Sequence, residues 1–409
     1  VTGDLEAGIV QGAQDVYLRK YDSANNLIWS RLLGSADRAD GFALAVDADG
    51  NPIVAGRVRD KLIATATGGN GDSFVTKYNS DGVEVFTRQT GAAQEDQANA
   101  LTVDAAGNIF VGGFTRGRMT SGQSAATGTD AYIQKLSPTG SLQFTRQFGS
   151  GADERISGLA MAGDGSLIAS SVENGQAIVR KFDPSDALAA PTWEMNLGAL
   201  NSGSLGGLAA RDGAIYVSGT TQNASLDAGG AASIVNAHAG GSDAFVFRLD
   251  DAGTSASANF VTYTGSSGAE GGAGLTVTAD AVYLSGSTRQ GLPGQNAVET
   301  GKSQGFVQKL SLGGASQWVY QYAGTGGQAS AAGVTVDDSG ASVLDALGLP
   351  RGEVSMGGSR LLTAQSTVRA GDFFTLQIND GQARKIEVRA GDTMRSLAQR
   401  INRVLGLKG

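Results

Sequence analysis

The chain of 409 residues contains no cysteine, one histidine and six prolines. The absence of cysteine excludes disulfide bonds, thiol catalysis and cysteine-held zinc. With His238 as the single histidine, a serine–histidine triad or a histidine-rich metal site is hard to assemble. His238 lies in an Ala/Gly-rich segment, so the sequence predicts a solvent-exposed loop histidine rather than a catalytic or metal-binding one.

Long apolar runs and excess positive charge are also missing. No apolar segment approaches the roughly 20 residues that a membrane helix needs, so membrane insertion is not expected. The formal net charge is -8 and the pI is about 4.8, which argues against a nucleic-acid-binding surface. Glycine is abundant, with 62 residues, and this suits an exported, loop-rich β protein with a turn every few residues.

A seven-residue motif recurs six times along the chain. It begins with Asp or Gln, continues with apolar residues and a basic residue, and closes with Tyr, Leu or Phe. The copies are Asp15–Tyr21, Asp72–Tyr78, Asp130–Leu136, Gln176–Phe182, Asp243–Leu249 and Gln304–Leu310. Their starts lie 46 to 67 residues apart. This period is too long for the common helical solenoids and fits a four-stranded propeller blade with one long loop.

Each repeat is predicted to form four strands, and we expect one repeat to make one small antiparallel sheet. The motif is the first strand, because it is rich in β-branched and aromatic residues. The second strand carries one large aromatic, predicted to lie in the core, at Trp29, Phe86, Phe144, Trp193, Phe260 and Trp318. It ends at a glycine, at Gly34, Gly91, Gly149, Gly198, Gly265 and Gly324. The third and fourth strands follow, as in Leu101–Val103 and Ile109–Gly113.

The order of these features resembles the bacterial β-propeller repeats known as SBBP repeats. In that family D-A-F-V-x-K-L-D precedes an aromatic strand, a glycine and V-D-x-x-G-N-I-Y-V-x-G. The resemblance covers residues 1–343 and implies an all-β fold, a β-propeller of four-stranded blades. It implies no particular activity, because such propellers carry many unrelated functions.

The two ends of the repeat region predict how the propeller closes. Val1-Thr2-Gly3 matches the end of a fourth strand, whereas the sixth repeat loses its pattern after Gly340. We therefore expect residues 1–3 to pair with the sixth blade near Thr335 and Val336, which removes exposed sheet edges. Six blades are favoured by this count. The alternative is a seven-bladed ring with pieces outside this sequence.

Residues 344–409 have a different pattern and predict a small α+β module. Ser342–Leu347 is predicted as a short helix, and Phe373–Ile378 with Lys385–Val388 as a hairpin around Asn379-Asp380-Gly381. Thr393–Leu405 is predicted as an amphipathic helix with Asp392 as its N-cap.

This module resembles the flagellin hook IN motif of flagellins and hook-associated proteins. The matching residues are Gly391-Asp392-Thr393, Leu397-Ala398 and Ile401-Asn402. The resemblance implies a structural role without catalytic residues. The chain ends at Gly409, where such modules usually continue, so the module is expected to be truncated.

Acidic residues in the loops after the second strands are the candidate functional site. The candidates are Asp37, Asp40, Glu95, Asp96, Asp153 and Glu154, with Glu270 alone in the fifth repeat. Propeller geometry should gather these loops on one face, where clustered carboxylates could bind a cation or hold one proton for acid/base chemistry. The favoured interpretation is a solvated acidic rim without metal, partly neutralised by Arg38 and Arg155.

One basic position also recurs, at Lys20, Lys77, Lys135, Lys181, Arg248 and Lys309. It lies just before the last apolar residue of each first strand. We expect these side chains to extend to the rim and pair with carboxylates of a neighbouring repeat. The alternative is a charged ring that binds a ligand in the central channel.

Two functions fit these observations. The favoured hypothesis is a non-catalytic flagellar protein, extracellular on the flagellum or cell surface and without a cofactor. Its propeller would be a projecting binding or spacing domain whose partners are other flagellar or surface proteins and surface glycan. The alternative is an extracellular propeller enzyme or lectin that acts on polysaccharide through its loop-rich face.

Overall fold

The computed structural model describes residues 12–22, 26–63, 71–92, 94–119, 128–186, 190–295, 302–323 and 328–336 of the repeat region. In the C-terminal region it describes residues 371, 373–376, 384–389, 392–393, 396–397 and 399–401. The repeat region is all-β. Within the described residues no helix is long and apolar enough to cross a membrane.

The strands of the repeat region form sheets in which antiparallel strands pair in sequence order. β1 (Val16–Tyr21) pairs with β2 (Leu27–Leu33). The next sheet contains β3 (Ala39–Val46), β4 (Pro52–Val58), β5 (Asp72–Tyr78) and β6 (Glu84–Thr90). It is followed by the sheet of β7 (Asp96–Val103), β8 (Ile109–Thr115), β9 (Asp130–Leu136) and β10 (Leu142–Phe148). A third sheet contains β11 (Glu154–Met161), β12 (Leu167–Glu173), β13 (Gln176–Phe182) and β14 (Trp193–Ala199).

Two more sheets follow. One contains β15 (Ser204–Arg211), β16 (Ala214–Thr221), β18 (Asp243–Asp251) and β19 (Ala256–Thr264), and the short β17 (Ser233–Ile234) adds to β19 in parallel. The other contains β20 (Glu270–Val277), β21 (Ala281–Thr288), β22 (Gln304–Ser311) and β23 (Ser316–Tyr322). All six predicted first strands are therefore confirmed.

The expectation that one repeat makes one sheet is wrong. Each four-stranded sheet takes its first two strands from one repeat and its last two from the next, because the fourth strand pairs with the following first strand. Thr115 at the end of β8, for example, lies opposite Asp130 at the start of β9. The chain instead leaves one sheet for the next after the second strand, at the recurring glycine.

The sheets are arranged as the blades of a β-propeller. β3, β7, β11, β15 and β20 each begin a blade, and each of the first four contacts the strand that begins the next blade. The aromatic strands β6, β10, β14 and β23 lie at the opposite edge of their sheets. Residues 1–3 and the end of the sixth repeat lie outside the described residues, so the six-bladed closure stays a prediction.

The hydrophobic core lies between neighbouring blades. Ile53 and Val75 of the β3–β6 blade cluster with Ala98 and Ile109 of the β7–β10 blade. Both faces of a blade are covered in this way, which explains why β5 and β9 are almost entirely buried. Blade-to-blade packing therefore provides most of the apolar burial.

The aromatic side chains of the second strands pack against a turn of the next blade. Trp29, with 9% exposure, faces Gly82, and Phe260 faces Gly314. A Cβ at Gly82 would lie 2.8 Å from the Trp29 ring, and a Cβ at Gly314 would lie 2.6 Å from the Phe260 ring. Both glycines have positive φ values, 78° and 84°, so the turn needs glycine for its conformation as well as for space.

The recurring basic residues bind the same turns; Lys77 and Lys181 are buried rather than at the rim, and the other four are partly buried. Lys77 forms an ion pair with Asp47 at 2.8 Å and donates to the Pro138 carbonyl oxygen of the next blade at 3.3 Å. Lys181, with 2% exposure, forms ion pairs with Asp164 and Asp251 at 2.7 and 2.6 Å. The expected pairing with carboxylates is confirmed for both lysines, and their contacts are with blade turns rather than with a channel.

The described part of the C-terminal region contains a hairpin and a helix, as predicted. β24 (Phe373–Leu376) pairs antiparallel with β25 (Arg384–Glu387), and residues 396–401 include a helical turn. The N-cap is Thr393 rather than Asp392, because Thr393 Oγ1 accepts from the Ser396 N–H while Ser396 Oγ accepts from the Thr393 N–H. The turn at 379–381 and the predicted helix at 342–347 lie outside the described residues.

Candidate functional site on the loop face

The six predicted carboxylates fall into two sets that differ in exposure. Asp37 and Asp153 are exposed and Glu95 is partly exposed. The other three, Asp40, Asp96 and Glu154, have exposures of 7%, 0% and 1%. The described residues contain no group of three or more His, Cys, Asp or Glu side chains that could hold a metal ion. The six carboxylates are therefore not gathered into one cation site.

Arginines neutralise one carboxylate in each of the first two loops, Asp40 and Glu95. Arg57 donates to Glu95 Oε1 at 2.6 Å and to Asp40 Oδ2 at 3.2 Å, and thereby links two blades. Arg38 also binds Asp40, at 2.9 Å, as the sequence predicted. Arg116 binds Glu95 at 3.3 Å. The sequence did not indicate Arg57, because only the pairing of β3 with β4 places it opposite Asp40.

Buried carboxylates at the start of the inner strands, the strands that begin each blade, accept hydrogen bonds from the preceding loop. Asp96 accepts a hydrogen bond from the Ala92 N–H at 2.6 Å, and Glu154 accepts one from the Ser150 N–H at 3.1 Å. Glu270 repeats this contact with the Ser266 N–H at 2.7 Å. Each carboxylate thus satisfies a loop donor four residues earlier, a structural role that the sequence alone did not indicate.

At Gly91 and Gly149 the missing side chain lets two carboxylates approach. A Cβ at Gly91 would lie 2.3 Å from Asp72 Oδ1 and 2.9 Å from Asp96 Oδ2. Asp72 belongs to one blade and Asp96 to the next, and Asp72 Oδ2 accepts from Gln89 Nε2 at 2.7 Å. Burial, together with the charges of Asp72 and Glu95, raises the pKa of Asp96 to about 6, although the Thr115 hydroxyl and the Ala92 N–H act in the opposite direction.

His238 is not the exposed loop residue that the sequence predicted. Its side chain is 8% exposed and packs edge-on against Tyr263, with ring centroids 5.4 Å apart. Nδ1 accepts from the Gly240 N–H at 3.2 Å and lies 3.9 Å from Asp243 Oδ2. Burial raises the pKa of Asp243, and the nearby Glu270 charge adds to this shift. These contacts hold the loop that leads into β18.

A cavity of about 640 Å³ opens between loops of this face. Its lining includes Arg116, Asp153, Arg155, Asn174 and Ser202, with buried Val172 and Leu200 and several glycines. Asp153 is engaged by the Thr129 N–H at 3.0 Å and the Thr129 hydroxyl at 3.2 Å.

Arg155 was expected to neutralise the rim, but it makes no hydrogen bond or ion pair with the described residues. Asn174 has a φ value of 47° and Gly175 one of 73°, as expected for the Asn-Gly turn of the β12–β13 hairpin. Ser202 has a φ value of 71°, which is uncommon for a non-glycine residue. The cavity therefore presents one guanidinium without a partner among the described residues, and it can accept a carboxylate or another anionic group.

Comparison with curated proteins gives one informative match. The chain is 32% identical to Regulatory protein FlaEY of Caulobacter vibrioides over an alignment of 447 residues that includes 99% of the chain. The chain spans about half the length of that relative, 46%. No protein-family model matches the chain.

Solved structures resemble the chain only distantly. A streptogramin B lyase structure is 12% identical, with 79% of this chain and 81% of the lyase chain aligned and a TM-score of 0.45. A putative 6-phosphogluconolactonase from Bacteroides uniformis is 9% identical, with 79% and 82% aligned and a TM-score of 0.47. The Pan2 WD40 domain of Neurospora crassa is 12% identical, with 74% and 84% aligned and a TM-score of 0.41. These values carry no argument about activity.

Proposed function

We propose that the chain belongs to a non-catalytic flagellar protein, exposed on the cell surface, whose propeller is a projecting binding domain. The observation that carries this proposal is the 32% identity to FlaEY over nearly the whole chain. The resemblance of residues 344–409 to the hook IN motif supports a flagellar role independently. The partners would be flagellar or surface proteins, or surface glycan.

The geometry of the loop face supports a non-catalytic role. Glycoside hydrolysis generally uses a pair of free carboxyl groups on either side of the scissile bond. Asp153 is the one carboxylate in the described cavity lining, and it accepts two hydrogen bonds from Thr129. Asp40 and Glu95 are bound by arginines. A polysaccharide-degrading enzyme would need a differently equipped cavity.

Arg155 is the residue through which we expect the propeller to contact its partner. It is free to form a charge-assisted hydrogen bond without first breaking an ion pair, so less of the binding energy is lost on desolvating an existing contact. The neighbouring Asn174 and Ser202 side chains add polar contacts at the same cavity.

The proposal is tested in the full-length protein in its native cells. Removal of residues 12–336, the described propeller, should leave the protein produced but impair filament assembly or swimming. Arg155→Ala should impair filament assembly or swimming in part. Arg59→Ala, which changes an exposed arginine outside the cavity, should have no effect. Protease added to intact cells should digest the propeller.

Two results would contradict the proposal. Normal filaments and swimming without the propeller would remove the flagellar role. Release of reducing ends from extracellular polysaccharide by the purified protein, abolished by Asp153→Asn, would favour the enzyme instead.

A further inference from the structure

Three blade junctions contain two buried carboxyl groups where the others contain one or none. The pairs are Asp72 with Asp96, Asp130 with Glu154, and Asp243 with Glu270. The first member opens the motif strand of one blade, and the second opens the inner strand of the next. At the corresponding positions two other repeats have Gln176 with Gly203 and Gln304 with Ala329. The second acid is thus absent where the first is replaced by an amide.

Each pair contains one buried carboxyl oxygen that accepts no hydrogen bond from the described residues. These oxygens are Asp96 Oδ1, Glu154 Oε2 and Asp243 Oδ1, on side chains that are 0%, 1% and 0% exposed. Burial raises the pKa of Asp96, and the nearby Thr115 hydroxyl acts to lower it. A buried carboxylate oxygen without a donor is costly, and protonation of the carboxyl group removes the charge that makes it so.

At the Asp72–Asp96 pair the oxygens that face each other are Asp72 Oδ1 and Asp96 Oδ2, so a shared proton would lie between these two atoms, while Asp96 Oδ1 accepts no hydrogen bond from the described residues. Asp72 Oδ1 and Asp96 Oδ2 converge on the space beside the Gly91 Cα, where a Cβ would collide with both. Two ionised carboxylates at this distance repel each other, whereas a protonated one can donate to its ionised partner.

The surroundings of the Asp72–Asp96 pair contain no opposing cation in direct contact. Glu95 precedes Asp96, and burial together with the Glu95 charge raises the pKa of Asp96. On β9, burial and the charge of Asp96 in turn raise the pKa of the Tyr132 phenol. Gln89 on β6 is neutral and donates to Asp72. Arg57 and Arg116 bind Glu95 instead. The pair is therefore left with excess negative charge unless it is protonated.

We propose that the Asp72–Asp96 junction is a proton-binding site, in which one proton is shared between the two carboxyl groups and its release weakens the contact between two blades. Asp130–Glu154 has the same construction around Gly149, where a Cβ would lie 2.2 Å from Asp130 Oδ1 and 3.2 Å from Glu154 Oε2. Asp243 and Glu270 are also both buried, but the space beside Gly265 meets Asp243 alone, and His238 Nδ1 lies 3.9 Å from Asp243 Oδ2. The propeller thus carries a titratable group between blades rather than on its surface.

Thermal unfolding of the whole chain between pH 4.5 and 8.5 tests the proposal. Since burial raises the pKa of Asp96 above its value in the unfolded chain, its contribution to stability is present at low pH and is lost as the pH rises through about 6. The melting temperature should fall across this range. Asp96→Asn should flatten the fall, whereas Asp37→Asn, an exposed acid of the preceding loop, should leave it unchanged.

A second variant keeps the test decisive if Asp96→Asn does not fold. Asp72→Gln introduces the amide that two other repeats carry at this position, and it should flatten the same pH dependence. Infrared spectra at pH 5 should show a protonated carboxyl band that weakens in either variant.

The opposing outcomes are distinct. A pH dependence that is the same in the wild type and in both variants would overturn the proposal. So would a saturable rise in melting temperature with calcium that both variants abolish, because the pair would then bind a metal ion rather than a proton.

Discussion

Leu44 and Leu101 occupy the same place in two successive repeats, ten residues after the recurring glycine, but only one of them is buried. Leu101 on β7 is 9% exposed, and Leu44 on β3 is 60% exposed. Leu159 at the same place on β11 is 7% exposed. The repeat sequence therefore specifies the strand and its apolar side, and the neighbouring blade decides whether that side is covered.

The exposure of these leucines differs because the blade that precedes each inner strand differs. Leu101 packs against Ile53 and Val75 of the complete β3–β6 blade. The blade before Leu44 is described only as the pair β1 and β2. Phe42 and Val46 on the same strand are likewise 46% and 58% exposed. The same repeat position is thus buried where a complete described blade precedes it.

The largest expected effect comes from removing these two leucines. Leu101→Ala should lower the free energy of unfolding by about 2–5 kcal/mol, because it leaves a cavity between two blades. Leu44→Ala should cost less than about 1 kcal/mol, since its side chain is already in water. Urea unfolding of both variants measures the difference. Equal costs would show that another part of the chain covers β3, as the predicted closure by the N-terminal strand requires.

The glycines allow a similar contrast. Gly91→Ala should cost about 1–3 kcal/mol, because the added Cβ would lie 2.3 Å from the Asp72 carboxylate at a blade junction. Gly163→Ala is the matched control, since nothing lies within 4 Å of its Cβ position and its φ is not positive. Thermal unfolding distinguishes them. A neutral Gly91→Ala would mean that the junction tolerates a wider separation of the blades.

Loss of the ion pairs made by the buried lysines should destabilise the propeller at low pH. Burial alone would raise the pKa of Asp47, but the Lys77 ion pair and the Asn51 hydrogen bonds lower it to about 2. Its contribution to stability is therefore present above about pH 4 and is lost as the pH falls toward 2, with a magnitude of about 1–2 kcal/mol.

Asp47→Asn should cost this amount at pH 7 and little at pH 2. Asp49→Asn, in the same turn, is the control because its side chain is exposed and unpaired with Lys77. Urea titrations at the two pH values measure both variants, and an equal cost for Asp47→Asn at pH 7 and pH 2 would contradict the ion-pair assignment.

The smallest expected effects are differences in local unfolding between strands. Hydrogen exchange should protect β5 and β9 most, because both are buried along their length. β1, which alternates between partly buried and exposed residues, should exchange sooner, and β24 and β25 should exchange before the blades. Uniform protection throughout would mean a single cooperative unit and would contradict a division of the chain near residue 343.

Part of the fold was predictable because local sequence controls it. The recurring apolar run, rich in β-branched and aromatic residues, predicted all six first strands, and Asp-Gly between apolar runs was enough to predict the hairpin of β24 and β25. Thr393 was missed as the N-cap because two adjacent polar residues both fit that position.

The candidate site was less predictable. The acidic loops were identified, but alternation at the start of β7 buries Asp96 while it leaves Glu95 at the surface. Arg57 and His238 could not be assigned, since their partners are brought close by strand pairing and loop packing rather than by spacing in the chain.

The sequence by itself determined the number of repeats and the strands, because these depend on local propensity and on periodicity of two. Only the tertiary structure decided which strands share a sheet, which carboxylates meet across Gly91 and which leucines are buried. Those properties arise from contacts between blades. The same repeat therefore has different burial and different charge partners according to the blade that lies beside it.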